Sequence, residues 1–466
     1  MTALHWLGIA EASQAFAARA LSPVELLSGL VARIERLDPQ LHAFIRLDVD
    51  AAMDAARAAE KELAAGRKRG PLHGVPIGVK DIIDVVGLPT TCHSKILLDN
   101  VAKQDAAVIE RLRQAGAIVV GKLSTHEFAI GGPSFDLPFP PARNPWNREH
   151  HPGGSSSGSG AGVCAGLFPG ALGTDTGGSV RNPASACGIV GLKPTYGLVS
   201  RRGVFPLSFT LDHVGPLTRS VADAALMLDA MAGYDPADVG SAPRANLAQP
   251  FGHMLDRGVR DLRVGFVRHF HETEMPAAPE VAIALEEVAR VLEAEGAAVR
   301  DVTLPSLNEF AAVNRVILCS EAWSIHARWL RSRPEDYGQL ARRRLMPGAF
   351  MTAGDYVGAQ RRRLQMIAAV EDALRDVDVL LCASSMDPAS RIEDADETQR
   401  TYPRQARTPF NVTGHPALAM MAGVATNGLP LSAQFVGRNF GEAMLLRVAG
   451  AYEQATEWHK RKPPIG

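Results

Sequence analysis

Two clusters of small residues, GGSSSGSGAG at 153–162 and GTDTGGS at 173–179, constrain this chain more than any other feature. Each glycine costs about 0.5–1 kcal/mol relative to alanine in a helix or strand interior. Both clusters therefore read as irregular backbone held for a purpose. A flexible linker is the alternative for the first, but it is short, runs into the apolar stretch VCAGLF and leads on to the second cluster. Three standard glycine motifs fit poorly. Gly154, Ser156 and Gly158 have the spacing of a nucleophile elbow, and Gly160, Gly162 and Ala165 that of a dinucleotide-binding turn. The preceding NREHHPGG is not the strand that both require, and no Gly-Lys-Ser/Thr follows to complete a phosphate loop. The second cluster suits an anion. Small residues at Thr176, Gly177 and Gly178 let several backbone N–H groups converge without obstruction, as an oxyanion hole requires. A helix starting at Ser179 would add the field of its N-terminus, and the Ser179 hydroxyl would stand beside its own oxyanion hole.

A serine needs a base to become a good nucleophile. None of the 14 histidines sits in a recognisable partner pattern: His150 and His151 fall in a loop and His213 in the turn-like TLDHVGP. Lys80 is the stronger candidate. It lies in GVPIGVKDII, so apolar that its ammonium would be costly to bury, and burial lowers a lysine pKa by several units. A core salt bridge between Lys80 and the adjacent Asp81 is the structural alternative.

Around these clusters, helix-period runs (SPVELLSGLVARIERLD, an Ala-rich stretch at about 50–66, DAAVIERLRQAG, SVADAALMLDAMAG, EVAIALEEVARVLEAEG) alternate with short apolar runs (GVPIGVKDIIDVVG, AIVVGK, LRVGFV, AAVRDV, DVDVLLCAS). That alternation predicts an α/β fold, a mostly parallel or mixed sheet covered by helices. Two stretches break the rhythm: 131–191, which reads as functional, and the polar 384–409, a candidate lid. The arginine runs at 342–344 and 361–363 read as solvated helix faces. With 46% hydrophobic and 21% charged residues and a net charge of −1, the chain is globular, and a dedicated nucleic-acid binder is not expected. Five scattered cysteines without a C-x-x-C pair, no signal-peptide pattern and no apolar run long enough to span a bilayer point to a reduced, cytoplasmic setting.

Taken together, LHGVPIGVKD, EFAIGG, ARNPWN, the two glycine clusters within GTDTGGSVRNPASACGIVGLKPTYGLVS, LDHVGPLTRS, PFNVTGHPALAM and GLPLSAQFVGR resemble the amidase signature family, whose hallmark is a Ser, cis-Ser, Lys triad. The resemblance covers roughly 70–235 and 408–455. It implies one large domain over 1–466 with a central mixed, twisted β-sheet covered by helices on both faces. A helical region would occupy about 1–68, the signature core about 70–235, a variable substrate-pocket region about 236–407, and a return to the core 408–466. It also implies Lys80 as base, Ser155 as cis-serine, Ser179 as nucleophile, and Thr176, Gly177, Gly178 and the Ser179 amide as oxyanion hole. Asp175 and Arg181 would brace the loop. No cofactor or metal is implied. Gly162 stands where the family often has alanine, which suggests a looser helix start; ALAMMAG replaces a more usual ALSVPCG type of run.

The expected activity is hydrolysis of small amides through a seryl acyl-enzyme, extending to carbamates (urethanes), ureas or esters. Phe310, Trp323, Trp329, Tyr337, Phe350 and Tyr356, with Phe135 and Phe139, suggest an apolar or aryl pocket, although they could equally be core. The expected partner is a small-molecule amide or carbamate, with no nucleic acid and no membrane; oligomeric state stays open, a homodimer included. The alternative is a glutamine-hydrolysing component of a tRNA-dependent amidotransferase that needs a partner chain. An acidic-amide specificity would call for a cation in the pocket, and Arg202 or Arg407 could supply it.

Overall fold

Local signals set the helix starts. Ser22 accepts a hydrogen bond from the Glu25 amide at 3.1 Å, while the Glu25 carboxylate accepts one from the Ser22 amide at 2.8 Å. With Pro23 in the first turn, this capping box launches the helix Pro23–Leu41. The computed structural model describes residues 3–243 and 249–465. Eleven strands form one sheet: β1 (Phe44–Leu47), β2 (Pro76–Lys80), β3 (Ile118–Leu123), β4 (Gly170–Asp175), β5 (Val190–Lys193), β6 (His213–Thr218), β7 (Arg263–Phe266), β8 (Ala298–Asp301), β9 (Val379–Ala383), β10 (Ala417–Val424) and β11 (Pro430–Val436). Their order is β1-β3-β2-β4-β6-β5-β10-β11-β9-β7-β8. β2 is parallel to β3 and β4, and β7 is parallel to β8 and β9, whereas the middle of the sheet from β4 to β9 is antiparallel. The fold is a single α/β domain with a mixed sheet between helices.

The strands read from sequence, β2, β3 and β7–β9, are the Val- and Ile-rich ones. Those missed include β4, β5, β10 and β11. All four are buried, save for the half-buried Val424 at the end of β10, and β4 and β5 are too small-residued to show an apolar run. The first glycine cluster departs from expectation more sharply. Residues Ser157–Cys164 are helical, and at Gly158, Gly160 and Gly162 the neighbouring segments leave no room for a Cβ. A Cβ at Gly158 would stand 2.2 Å from the Ala43 carbonyl oxygen, and one at Gly162 would stand 2.2 Å from Phe168 Cζ. Gly162 therefore marks a tight contact rather than a looser helix start. The arginine runs are not uniformly solvated either: Arg363 donates to the Val412 and Thr210 carbonyls at 2.7 and 2.9 Å, and Arg344 turns inward. Consecutive helical residues are about 100° apart, so three in a row cannot share one face.

Residues 384–409 do not hang free. They carry the short helix Ala395–Thr401, capped by Asp394, and are tied to the rest of the protein by Arg404, which donates to the Pro276 carbonyl at 2.6 Å, and by the Ser390 amide, which donates to His151 at 3.2 Å. All five cysteines are buried free thiols, and no helix is long and apolar enough to cross a membrane among the described residues.

Candidate active site

β2 ends on Lys80, whose side chain is wholly buried. Its Nζ reaches Ser155 Oγ and Thr174 Oγ1, each at 2.7 Å. The salt bridge to Asp81 is not formed: Asp81 pairs with Lys122 at 3.0 Å and accepts hydrogen bonds from Thr91. Burial pulls the Lys80 pKa down from 10.5 to about 7, against the opposing fields of Asp175 and Asp212. The amine is thus substantially neutral near neutral pH. Thr174, its second partner, escaped the sequence reading although it lies within the second glycine cluster.

The Gly154–Ser155 peptide bond is cis, and Ser155 is buried at the head of the helix Ser157–Cys164. The Ser156 amide donates to the Ser179 carbonyl at 3.3 Å, tying the two serine-bearing segments together. Ser155 and Ser179 line one cavity of about 260 Å³, together with Thr176, Gly177 and Gly178. Ser179 and Gly177 are only half-buried amid buried neighbours, and both lie on the cavity lining.

Asp175, at the end of β4, organises the loop that follows. Its carboxylate accepts from the Gly178 amide at 2.7 Å, from the Val180 amide at 3.1 Å, and from Arg181 Nη2 and Nε at 2.9 and 3.0 Å. Burial works against ionisation of Asp175, but Arg181 overrides it and holds the group well below the ordinary carboxylate range. The helix begins at Arg181, two residues beyond the expected start at Ser179. Because the Gly178 N–H is engaged by Asp175, the expected oxyanion set narrows. The Thr176, Gly177 and Ser179 amides have no hydrogen-bond partner among the described residues, and the Thr176 hydroxyl donates to Asp212 at 2.6 Å. Gly178 has a positive φ of 124°, and a Cβ there would stand 2.6 Å from Arg407 Nε.

The distant motifs converge on this loop. Arg181 also donates to Gln434 and Asn411, each at 2.6 Å, and Asn411 donates to Asp175 at 2.8 Å. Asp212 belongs to LDHVGPLTRS, Asn411 to PFNVTGHPALAM and Gln434 to GLPLSAQFVGR. These motifs were visible in the sequence, but what their polar residues do was not.

None of the eight aromatic residues named as a pocket lines the cavity. Phe310 and Tyr337 are core, Phe135 and Phe350 are exposed, and the Tyr356 hydroxyl donates to Glu321 at 2.8 Å. Arg202 lies elsewhere, paired with Glu110 at 2.6 Å and Asp235 at 3.0 Å. Arg407 does line the cavity, and so do Arg344 and His126. Burial, reinforced by Lys80, holds the His126 pKa well below its ordinary value, which keeps the ring neutral.

Comparison with known proteins agrees with this geometry. Residues 25–446 match the family described as Amidase. The chain is 38% identical over 490 residues to a glutamyl-tRNA(Gln) amidotransferase subunit from Roseiflexus sp. (strain RS-1), covering 100% of this chain and 99% of that one. Among solved structures, it superposes on one from an unexpected vestigial protein complex bearing on the origins of an s-triazine catabolic enzyme, with a TM-score of 0.90, 33% identity and coverage of 97% and 99%. The native peptide amidase of Stenotrophomonas maltophilia follows at a TM-score of 0.86, 31% identity and coverage of 99% and 98%. Buried lysine, cis peptide, braced glycine loop and full-length similarity lead to one assignment: the chain belongs to the amidase family of amidase-signature enzymes.

Proposed function

We propose that this chain hydrolyses carbon–nitrogen bonds of small amides through an acyl-enzyme on Ser179. The observation that carries the reading is the 2.7 Å contact between buried Lys80 and Ser155, opening onto the cavity that Ser179 shares. In the neutral amine one N–H satisfies Thr174 Oγ1, leaving the lone pair to the Ser155 hydroxyl. As Ser179 Oγ bonds to the substrate carbonyl carbon, its proton passes to Ser155 Oγ and the Ser155 proton passes to Lys80 Nζ. The Thr176, Gly177 and Ser179 amides stabilise the oxyanion. The relay then reverses: the C–N bond breaks, the leaving amine takes a proton from Ser155, and Lys80 returns its proton to Ser155. Water next attacks the ester by the same route. Carbamates, ureas and esters present the same carbonyl to the same nucleophile.

Replacing Ser179 by Ala removes the nucleophile and is expected to lower amide hydrolysis roughly 10³-fold or more and to abolish labelling by a fluorophosphonate. Unchanged turnover across amides, carbamates and esters would sink the assignment.

A second reading rests on the relatives. The similarity to the glutamyl-tRNA(Gln) amidotransferase subunit runs the full length of both chains, which favours a glutamine-hydrolysing component working with partner chains on tRNA, although the net charge of −1 offers tRNA little attraction. Glutamine turnover by the isolated chain and by the chain mixed with candidate partners decides between the two.

A further inference from the structure

The cavity beside Ser179 holds positive charge that no carboxylate among the described residues pairs with. Arg407 is 2% exposed. Its three side-chain hydrogen bonds all leave from Nη1, to the Ser384 carbonyl and hydroxyl and to the Ser385 hydroxyl. Its Nε is buried without a partner, and no carboxylate forms an ion pair with it among the described residues; Asp175, the acid whose field it feels, is already held by Arg181. Arg344 lines the same cavity, is half-buried, and forms no hydrogen bond or ion pair from its guanidinium among the described residues. A buried cation left unpaired is expensive, and removing one partner of a buried pair is strongly destabilising. A fold that keeps one buried and one half-buried unpaired guanidinium beside its reacting serine, with the exposed Arg315 also on the lining, is completed by an anion from outside. The described lining contains neither Asp nor Glu, so a substrate ammonium would meet only like charge.

Resting on the amide-hydrolase reading, we infer that the substrate carries a carboxylate or an equivalent planar anion, bound by Arg344 and Arg407, and no ammonium near the scissile bond. Guanidinium suits that partner because its forked donors match both oxygens of a carboxylate. Selection then works in two directions. A neutral amide leaves the guanidiniums unpaired, and a zwitterion such as glutamine brings a cation among cations.

The test is a panel with related chains: pentanamide (neutral), glutaramate (carboxylate on the acyl side), N-butyrylglycine (carboxylate on the leaving side) and glutamine (carboxylate plus ammonium). For the wild-type protein, at least one of the two anionic amides should exceed pentanamide and glutamine in kcat/KM by roughly tenfold or more. In Arg344→Gln that advantage should collapse, mainly through KM, with restoration toward wild type in Arg344→Lys. Because Arg407 is buried and its replacement risks misfolding, calorimetric binding of glutaramate and N-butyrylglycine to Ser179→Ala supplies an independent readout. Measurable binding of one of them, weakened by added Arg344→Gln, supports the inference. Equal or faster turnover of pentanamide or glutamine would overturn it while leaving the serine hydrolase intact. Turnover of all four amides surviving Ser179→Ala would overturn the hydrolase reading beneath it.

Discussion

Lys80 shows how burial converts a common residue into a base. Its ammonium has no carboxylate in contact, only two hydroxyls, so desolvation dominates and the pKa drops to about 7. The neutral form is the reactive one; hence kcat/KM should rise with pH through an apparent pKa near 7 and then level, a profile that Lys80→Met should lose along with most activity. The same shift has a stability consequence. Between about pH 7 and the ordinary lysine value of 10.5, the unfolded chain binds a proton that the folded chain has released, so this group's contribution to stability grows as pH rises. Denaturant titrations across that window should show a shallower rise for Lys80→Met than for the wild type. Arg181 illustrates the opposite solution to burial. It is fully paired, to Asp175, Asn411 and Gln434, and Arg181→Met would strand the Asp175 carboxylate at a cost of about 3–5 kcal/mol. A melting temperature within a degree or two of wild type would contradict that bracing role.

At the level of elements, the helix Ser157–Cys164 forms despite its glycines because its neighbours demand them. Gly158 lets the helix close on the backbone near Ala43, Gly160 on Pro183 and Gly162 on Phe168. This close approach places Ser155 against the end of β2 and so against Lys80. Gly162→Ala forces a methyl group into Phe168 and is expected to destabilise by about 1–3 kcal/mol despite the higher helix propensity of alanine. Adding Phe168→Leu should recover part of the loss, measured by chemical denaturation; a stabilised Gly162→Ala would show that the contact relaxes freely. From sequence, the cost of glycine argued against a helix here, and only the tertiary contacts reverse that sign.

Across the whole molecule, the sheet interleaves early, middle and late parts of the chain. β10 and β11 join β5 on one side to β9 on the other, so removing 408–466 would split the sheet into a six-stranded and a three-stranded piece and delete Asn411 and Gln434 from the loop brace. A 1–407 chain is expected to lose its cooperative thermal transition and its near-UV circular dichroism; a wild-type melt would show that the C-terminal strands are dispensable. Local pattern and spacing suffice for the alternation of helices and apolar strands, the capping of the helix Pro23–Leu41, the two glycine clusters, and Lys80 and Ser179 as candidate residues, whereas Ser155 comes only with the family resemblance. It took the folded chain to show that Lys80 meets Ser155 and Thr174 rather than Asp81, that the Gly178 amide serves Asp175, and that Arg344, Arg407 and Tyr402 line the cavity while the eight aromatic residues expected there do not. Those outcomes depend on which buried groups come within hydrogen-bonding distance, a property of residues up to 253 positions apart that no local pattern encodes.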